Sequence, residues 1–335
     1  VVGPGGASRA DAFVAEVSGV LSRSQIKARA AVIRVNGVEA KFSRPLKEGD
    51  AVEVSWVEES APAALAEDLP LSILYEDDRV VVVDKAQGMV THPGAGNRRG
   101  TLANAVLFLA LRDAKQRAEP GSASRSPATR GGIVHRLDKD TSGVIVAAKD
   151  LDAQVFLAEQ FKERSTRKEY LAVLRGSAIP PEGRVSDRLG RDRGDRKRFA
   201  SVAEGGKAAV TEYRVIATWR AGGAPPAPPF SPGASGRSPK AGEVYTLVSL
   251  RPRTGRTHQL RVHMANLGAP ILGDPIYGRP DSRFPGATLM LHAYRLKIVL
   301  PGKAEASLFR APIPERFRSI VAALDKVFGP GRKPD

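Results

Sequence analysis

His135-Arg136-Leu137-Asp138-Lys139-Asp140-Thr141-Ser142-Gly143 runs directly into Val144-Ile145-Val146-Ala147-Ala148, and the junction of these two segments decides the fold. The second is short, β-branched and apolar at successive positions, which predicts a strand buried on both faces. The first then becomes a loop carried on the end of a rigid sheet, the usual setting for catalytic groups. It places the Asp138 carboxylate among three cationic side chains, His135, Arg136 and Lys139. Asp140 is a second candidate, although beside Thr141-Ser142-Gly143 it better suits a turn or cap. Taken alone, the loop fits a plain surface turn with solvated cations equally well.

The chain has 335 residues, 42% hydrophobic and 26% charged, enough for two domains with a sizeable core. No run approaches the roughly 18 uninterrupted apolar residues of a membrane span. Val1-Val2-Gly3-Pro4-Gly5-Gly6 has neither the basic start nor the apolar stretch of a secretory signal. Cysteine is absent, which excludes disulfides and thiolate metal sites and makes the cytoplasm the expected compartment. Lysine and arginine number 52 against 36 aspartates and glutamates, a net charge of +16. Such a surface favours polyanions through phosphate contacts and counterion release. Nucleic acid is preferred over an anionic membrane, because no long amphipathic basic helix is evident.

A first unit is expected over residues 1–57. Phe13, Val14 and Val17 have helical spacing, residues 23–31 suit a basic helix, and Ile33-Arg34-Val35-Asn36-Gly37-Val38-Glu39-Ala40 reads as a hairpin turning at Asn-Gly. Residues 51–56 suit a last strand. The Ala/Pro/Glu-rich residues 58–72 read as a linker. A larger domain is expected over 73–328, with strands at 80–83 and 245–250 and a closing helix at 315–328. The stretches 112–130 and 221–242 lack apolar content and are expected to be mobile insertions, and 329–335 a disordered tail.

Two further segments carry candidate chemistry. Arg167-Lys168-Glu169-Tyr170-Leu171-Ala172-Val173-Leu174 alternates like a strand after an amphipathic helix at 151–164. The Tyr170 ring could stack on a nucleobase, worth about 1–3 kcal/mol, or be an ordinary half-buried strand tyrosine. Thr254-Gly255-Arg256-Thr257-His258-Gln259-Leu260-Arg261-Val262-His263 predicts a helix capped by Thr257 and ending at Gly268. Its core face is Leu260, Met264 and Leu267, while His258 and Arg261 share another face. His258 and His263 lack zincin spacing and a third ligand, so no metal is expected. Leu291, in Leu289-Met290-Leu291-His292-Ala293, suits plain core packing.

The three segments, in this order, resemble the RluA-type pseudouridine synthases. So do Asp84-Lys85-Ala86-Gln87-Gly88-Met89-Val90, Gly100-Thr101-Leu102 and Ile271-Leu272-Gly273-Asp274-Pro275-Ile276-Tyr277-Gly278. Asp84 and Ala86 stand where that family usually has Asn and Pro. The run His92-Pro93-Gly94-Ala95-Gly96-Asn97 resembles the D-type members of the family, which are synthases of the large ribosomal subunit. Residues 22–50 resemble the RNA-binding module of small-subunit ribosomal protein four.

These resemblances imply an α+β fold: a mixed, largely antiparallel-sheet catalytic domain behind a small N-terminal α/β RNA-binding domain. They imply a cofactor-free isomerase that detaches uracil from its sugar, turns it and rejoins it through ring carbon five. Asp138 is implied as the essential carboxylate, Tyr170 as the aromatic against the target base, and Arg261 as the ion-pair partner of Asp138. Arg136, with Leu137, Arg256, His258 and Leu291, is assigned to substrate binding, and in the family this Arg helps hold a flipped-out uridine. Arg23, Lys27, Arg29, Arg34 and Lys41 are implied to contact RNA backbone. The expected partner is ribosomal RNA or a large-subunit precursor particle, at the stem-loop called helix sixty-nine, met by a monomer with no membrane association. Competing readings are an inactive RNA-binding assembly factor, a synthase for transfer RNA, and a glycoside hydrolase using Asp138 and Asp140. The last is disfavoured, because neighbouring carboxylates on one loop do not oppose each other across a sugar.

Overall fold

Asn36 and Gly37 both hold positive φ, 55° and 78°, the requirement of a type I′ turn. They join β1 (Val32–Val35) to β2 (Val38–Ala40), and β3 (Val52–Ser55) pairs with the other edge of β1. Helix α1 (Ala10–Ser18) contributes Ala10 and Val14 to a small core with Ile26, Ile33, Val35 and Leu46. These elements belong to the first of two units into which the chain divides, Val1–Ala63 and Ala64–Asp335. The computed structural model describes residues 1–3, 9–18, 26, 32–55, 65–94, 96–116, 128–192, 194–195, 197–220 and 244–334. The expected basic helix at 23–31, apart from Ile26, and the whole insertion 221–242 lie outside them.

The second unit is built on a ten-stranded sheet. Its strands are β4 (Ser72–Glu76), β5 (Val80–Lys85), β6 (Ser142–Ala148), β7 (Arg167–Gly176), β8 (Glu182–Arg191), β9 (Phe199–Ser201), β10 (Lys207–Arg220), β11 (Val244–Pro252), β12 (Leu291–Val299) and β13 (Ala306–Arg310). They lie in the order β4-β5-β6-β12-β7-β11-β10-β8-β9, with β13 on β12. Among the described strands of this sheet the one parallel pairing is β6 with β12, where His292 meets Ser142 and Ala293 meets Gly143. The sheet is therefore mixed and largely antiparallel, as expected.

All of β6 is buried, which is why its sequence shows no polar alternation. Helices α2 (Leu102–Gln116) and α3 (Leu151–Glu163) pack with it around the β5–β6 core, and a second core joins β7, β10 and β11 to α4 (Gln259–Asn266) and α5 (Glu315–Phe328). Helix α3 starts where the Asp150 side chain accepts the Ala153 N–H and stops at Arg164 in the left-handed region, φ 62°.

Several boundaries differ from the sequence reading. Residues 65–71 are not free linker: Asn104 Nδ2 donates to Leu65 O at 2.7 Å and Glu67 N to Asn104 O at 3.1 Å. Residues 112–116 continue α2, because buried Lys149 bonds Asp113 at 2.6 Å and anchors that turn; residues 117–127 of the expected insertion lie outside the described residues. The tail expected to be disordered is held, since Arg332 and Thr218 exchange backbone hydrogen bonds of 2.8 and 2.9 Å and Gly331 N donates to Asp325 Oδ1 at 3.0 Å. Thr257 does not cap α4. His258 takes that position in left-handed geometry, φ 55°.

Candidate active site

The backbone around Asp138 is clamped on both sides. Lys85, at the end of β5 and 1% exposed, donates its ammonium to the carbonyls of Ala86, Met89 and Lys139 at 2.9, 2.8 and 3.1 Å. Gly88 N also reaches Lys139 O at 2.9 Å, Gln87 Nε2 reaches Asp140 O at 2.9 Å, and Thr91 Oγ1 reaches Leu137 O at 2.7 Å. Burial lowers the Lys85 pKa to about 8 against the opposing charges of Asp138 and Asp140. A loop fixed at Leu137, Lys139 and Asp140 leaves the Asp138 side chain little freedom of approach.

His135 is not one of the cations around this carboxylate. Its Nε2 accepts the Val146 N–H at 3.1 Å and its ring stacks on Phe161 with centroids 4.3 Å apart. Desolvation lowers its pKa to about 3, so the ring is neutral. Arg136 is exposed, Leu137 buried, and both line the cavity that Asp138 enters. Asp140 does not line that cavity and lies in the turn after Asp138.

Arg261, on α4, approaches from the other side of the cleft. Its Nε and Nη2 form a fork on Asp274, each at 2.7 Å, while Nη1 lies 3.6 Å from Asp138 Oδ2. The Tyr277 ring lies 5.2 Å from the guanidinium carbon. Arg261 is thus brought near Asp138 without a hydrogen bond to it, and its tighter partner is Asp274, whose side chain is 0% exposed. The guanidinium hydrogen bonds and charge hold the Asp274 pKa below the ordinary carboxylate value despite burial.

His258 stands beside Arg261 with its Nε2 3.9 Å from Asp138 Oδ2, and its Nδ1 is 2.9 Å from the Tyr277 hydroxyl. Burial lowers its pKa, opposed by Asp138 and reinforced by Arg261. Arg256 donates Nε to Ala208 O at 3.1 Å, and Gln259 Oε1 secures the same loop by accepting from Arg256 N at 3.0 Å and Thr254 Oγ1 at 2.7 Å.

Tyr170 lies on β7 between Leu250 and Ala293 in the flanking strands. Burial, with Asp138 nearby, pushes its hydroxyl pKa up, so the phenol stays neutral. Asp138, Tyr170, Arg261, Arg136, Leu137, Arg256, His258 and Leu291 line one cavity of about 480 Å³. Lys162, Arg164, Lys168 and Arg253 add positive charge to its wall. Arg34 and Lys41 are exposed on the N-terminal unit, whereas Arg23, Lys27 and Arg29 lie outside the described residues. No group of three or more His, Cys, Asp or Glu side chains suited to a metal is found among the described residues, and none of their helices is long and apolar enough to cross a membrane.

Sequence reasoning missed the roles of Asp274, Tyr277 and Lys85. The signal for Asp274 was its isolation in the apolar, Gly-rich run 271–278, since a lone carboxylate held there needs a cationic partner.

A carboxylate beside a guanidinium and a flat aromatic ring, in a cleft with basic walls, suits an enzyme that acts on a base within an anionic polymer. The sequence profile of the RNA pseudouridylate synthase family matches residues 79–266. Ribosomal large subunit pseudouridine synthase D of Borreliella burgdorferi is 37% identical over 93% of this chain and 88% of its own length. The protein of the same name from Xanthomonas campestris pv. campestris is 38% identical over 94% of this chain and 88% of its own. Among solved structures, human RNA pseudouridylate synthase domain containing 1 superposes with a TM-score of 0.54 at 25% identity, covering 80% of this chain and 91% of that one. The chain belongs to the RNA pseudouridine synthase family and is an RNA-modifying isomerase.

Proposed function

We propose that the protein converts uridines of large-subunit ribosomal RNA to pseudouridine, at the helix sixty-nine stem-loop, with Asp138 as the essential carboxylate. The observation that carries the chemistry is the meeting of Asp138, Tyr170 and Arg261 in one cavity, with Arg261 Nη1 3.6 Å from Asp138. The ribosomal target is supported by the names of the relatives from B. burgdorferi and X. campestris and by the +16 charge of the chain.

In this reading the sugar–nitrogen bond breaks, uracil turns in place against Tyr170 and Leu291, and ring carbon five bonds to the sugar. The carbon-five proton is released and the freed nitrogen gains one, so the isomerisation is redox-neutral. Asp138 initiates the sequence through its carboxylate, by adding to the sugar or to the base, or by removing a sugar proton. Arg261, with Nη1 3.6 Å away, restrains it. Arg136, at the mouth, holds the RNA with the uridine out of its stack. The N-terminal hairpin, through Arg34 and Lys41, grips the backbone of the same RNA, together with Arg23, Lys27 and Arg29.

The test is Asp138→Asn, which preserves shape but removes the ionised group. Tritium placed on uracil ring carbon five of a large-subunit RNA fragment should be released by the parent protein and retained with the variant, at RNA affinity within a few-fold. Comparable release by both would remove Asp138 from its role. Pseudouridine maps of large-subunit RNA from cells with and without the protein should differ within the helix sixty-nine loop, and identical maps there would reject the target.

A further inference from the structure

We infer that His258 is a positioning residue for Asp138: a neutral imidazole locked by Tyr277 into the tautomer that carries its proton on Nε2, aimed at the carboxylate. The inference rests on the proposed role of Asp138 but starts from a hydrogen-bond count. Phe199 N donates to the Tyr277 hydroxyl at 2.8 Å, which takes one of that oxygen's two lone pairs. The hydroxyl's other partner among the described residues is His258 Nδ1, 2.9 Å away, and the proposed tautomer has the hydroxyl proton donated to it. A neutral ring that accepts at Nδ1 carries its hydrogen on Nε2, the atom 3.9 Å from Asp138 Oδ2.

The backbone supports this placement. His258 is one of only three non-glycine residues with positive φ among the described residues, a conformation that costs energy and persists where surroundings impose it. The Phe199 and Tyr277 rings meet the imidazole edge-on at 5.8 and 5.6 Å. The charged groups facing it are Asp138 and Asp274, which favour the cation, and Arg261 and Arg136, which disfavour it together with burial. Arg261 Nη1 and His258 Nε2 both approach Oδ2 of Asp138. One carboxylate oxygen is thereby anchored, and the other is presented to the sugar. The 3.9 Å separation exceeds a hydrogen bond, so the proposed bond requires the two groups to approach further in the RNA complex.

Imidazole two-bond proton–nitrogen spectra of the full-length, nitrogen-15-labelled protein test the tautomer directly, with His258→Gln identifying the resonance. At pH 7 the Nε2–H pattern is expected, and Tyr277→Phe should shift the Nδ1 resonance by removing its hydrogen-bond donor. A Nδ1–H or doubly protonated ring in the parent protein would overturn the inference. Turnover on the RNA fragment is the second readout. His258→Ala and Tyr277→Phe should lower kcat by about 10- to 100-fold, the worth of one hydrogen bond to a charged group, at KM within about three-fold. His258→Gln, which keeps a donor near the Nε2 position, should recover most of the loss. Unchanged kcat in the first two variants, or a rise confined to KM, would also overturn it. If the parent protein released no tritium, the proposed reaction would fail while the imidazole spectrum still decided the geometry.

Discussion

Arg261 serves two carboxylates at once, and only a guanidinium has the shape to do so. Its fork on Asp274 fixes the plane, and that plane delivers Nη1 to Asp138. Lysine would supply the charge but not the fork. Arg261→Lys should therefore keep the fold yet lower turnover by at least about ten-fold, as expected when a hydrogen bond to a charged group is removed. Arg261→Ala should do more, because it strands the buried Asp274 without its partner. Breaking a buried pair typically costs about 3–5 kcal/mol, visible as a lower urea midpoint at unchanged slope. Tritium release measured at a denaturant-free temperature well below the melt separates the two effects. Arg261→Ala with parental stability and turnover would mean that neither carboxylate depends on this side chain.

At the scale of elements, the site is a consequence of the β6–β12 junction. Gly143 adopts φ 116° there, and a Cβ would collide with the Ala293 carbonyl oxygen, so only glycine lets the two strands close. Gly143→Ala should cost at least about 2 kcal/mol, combining strain with displacement of the neighbouring strand. It should also speed amide exchange in β6 and slow turnover through movement of the Asp138 loop. Exchange rates in β6 equal to those of the parent would sink this account. The strands and helices that meet here were legible in the sequence wherever burial alone sets the pattern. Val144–Ala148 declared β6, the Asn36-Gly37 pair declared its hairpin, and residues 315–328 declared α5. What stayed hidden depends on packing between distant segments. The capping of α4 fell to His258 because its ring is held by Tyr277, a residue with no local relation to it. The partnership of Arg261 with Asp274 and the neutrality of His135 likewise follow from packing, which spacing does not encode. Asp138, Tyr170 and Arg261 nevertheless line one cavity, carried by the loop before β6, by β7 and by α4, three elements whose type the sequence does announce.

Over the whole molecule, two consequences follow, one from buried histidines and one from the division into units. His263 and His292 are fully buried, and desolvation lowers the pKa of each to about 4. The unfolded chain takes up these protons near pH 6.5 and the folded chain only near 4, so stability is present above 6.5 and is lost as pH falls between those values. From pH 6.5 to 5 each histidine should remove about 2 kcal/mol, and His263→Gln, which keeps a polar partner for Thr211, should flatten the urea-midpoint profile over that window. An unchanged profile would show that His263 protonates without cost. The second consequence concerns residues 1–63, which have their own core around Ile33, Val35 and Leu46, apart from the cores of residues 64–335. The cavity that holds Asp138, Tyr170 and Arg261 is lined wholly by the second unit, so deleting residues 1–63 should leave a folded catalytic unit. The deletion takes away the hairpin cations Arg34 and Lys41, both exposed, and with them the proposed grip on phosphates. Each phosphate no longer neutralised should flatten the salt dependence of RNA binding by a log–log slope of about 0.7–0.9. Turnover at saturating RNA should hold while KM rises, because the interactions removed are made equally before and during reaction. Binding measured across a salt series, on the same RNA with the full and shortened chains, decides the matter: identical affinity and slope would mean that the first unit does not grip this RNA.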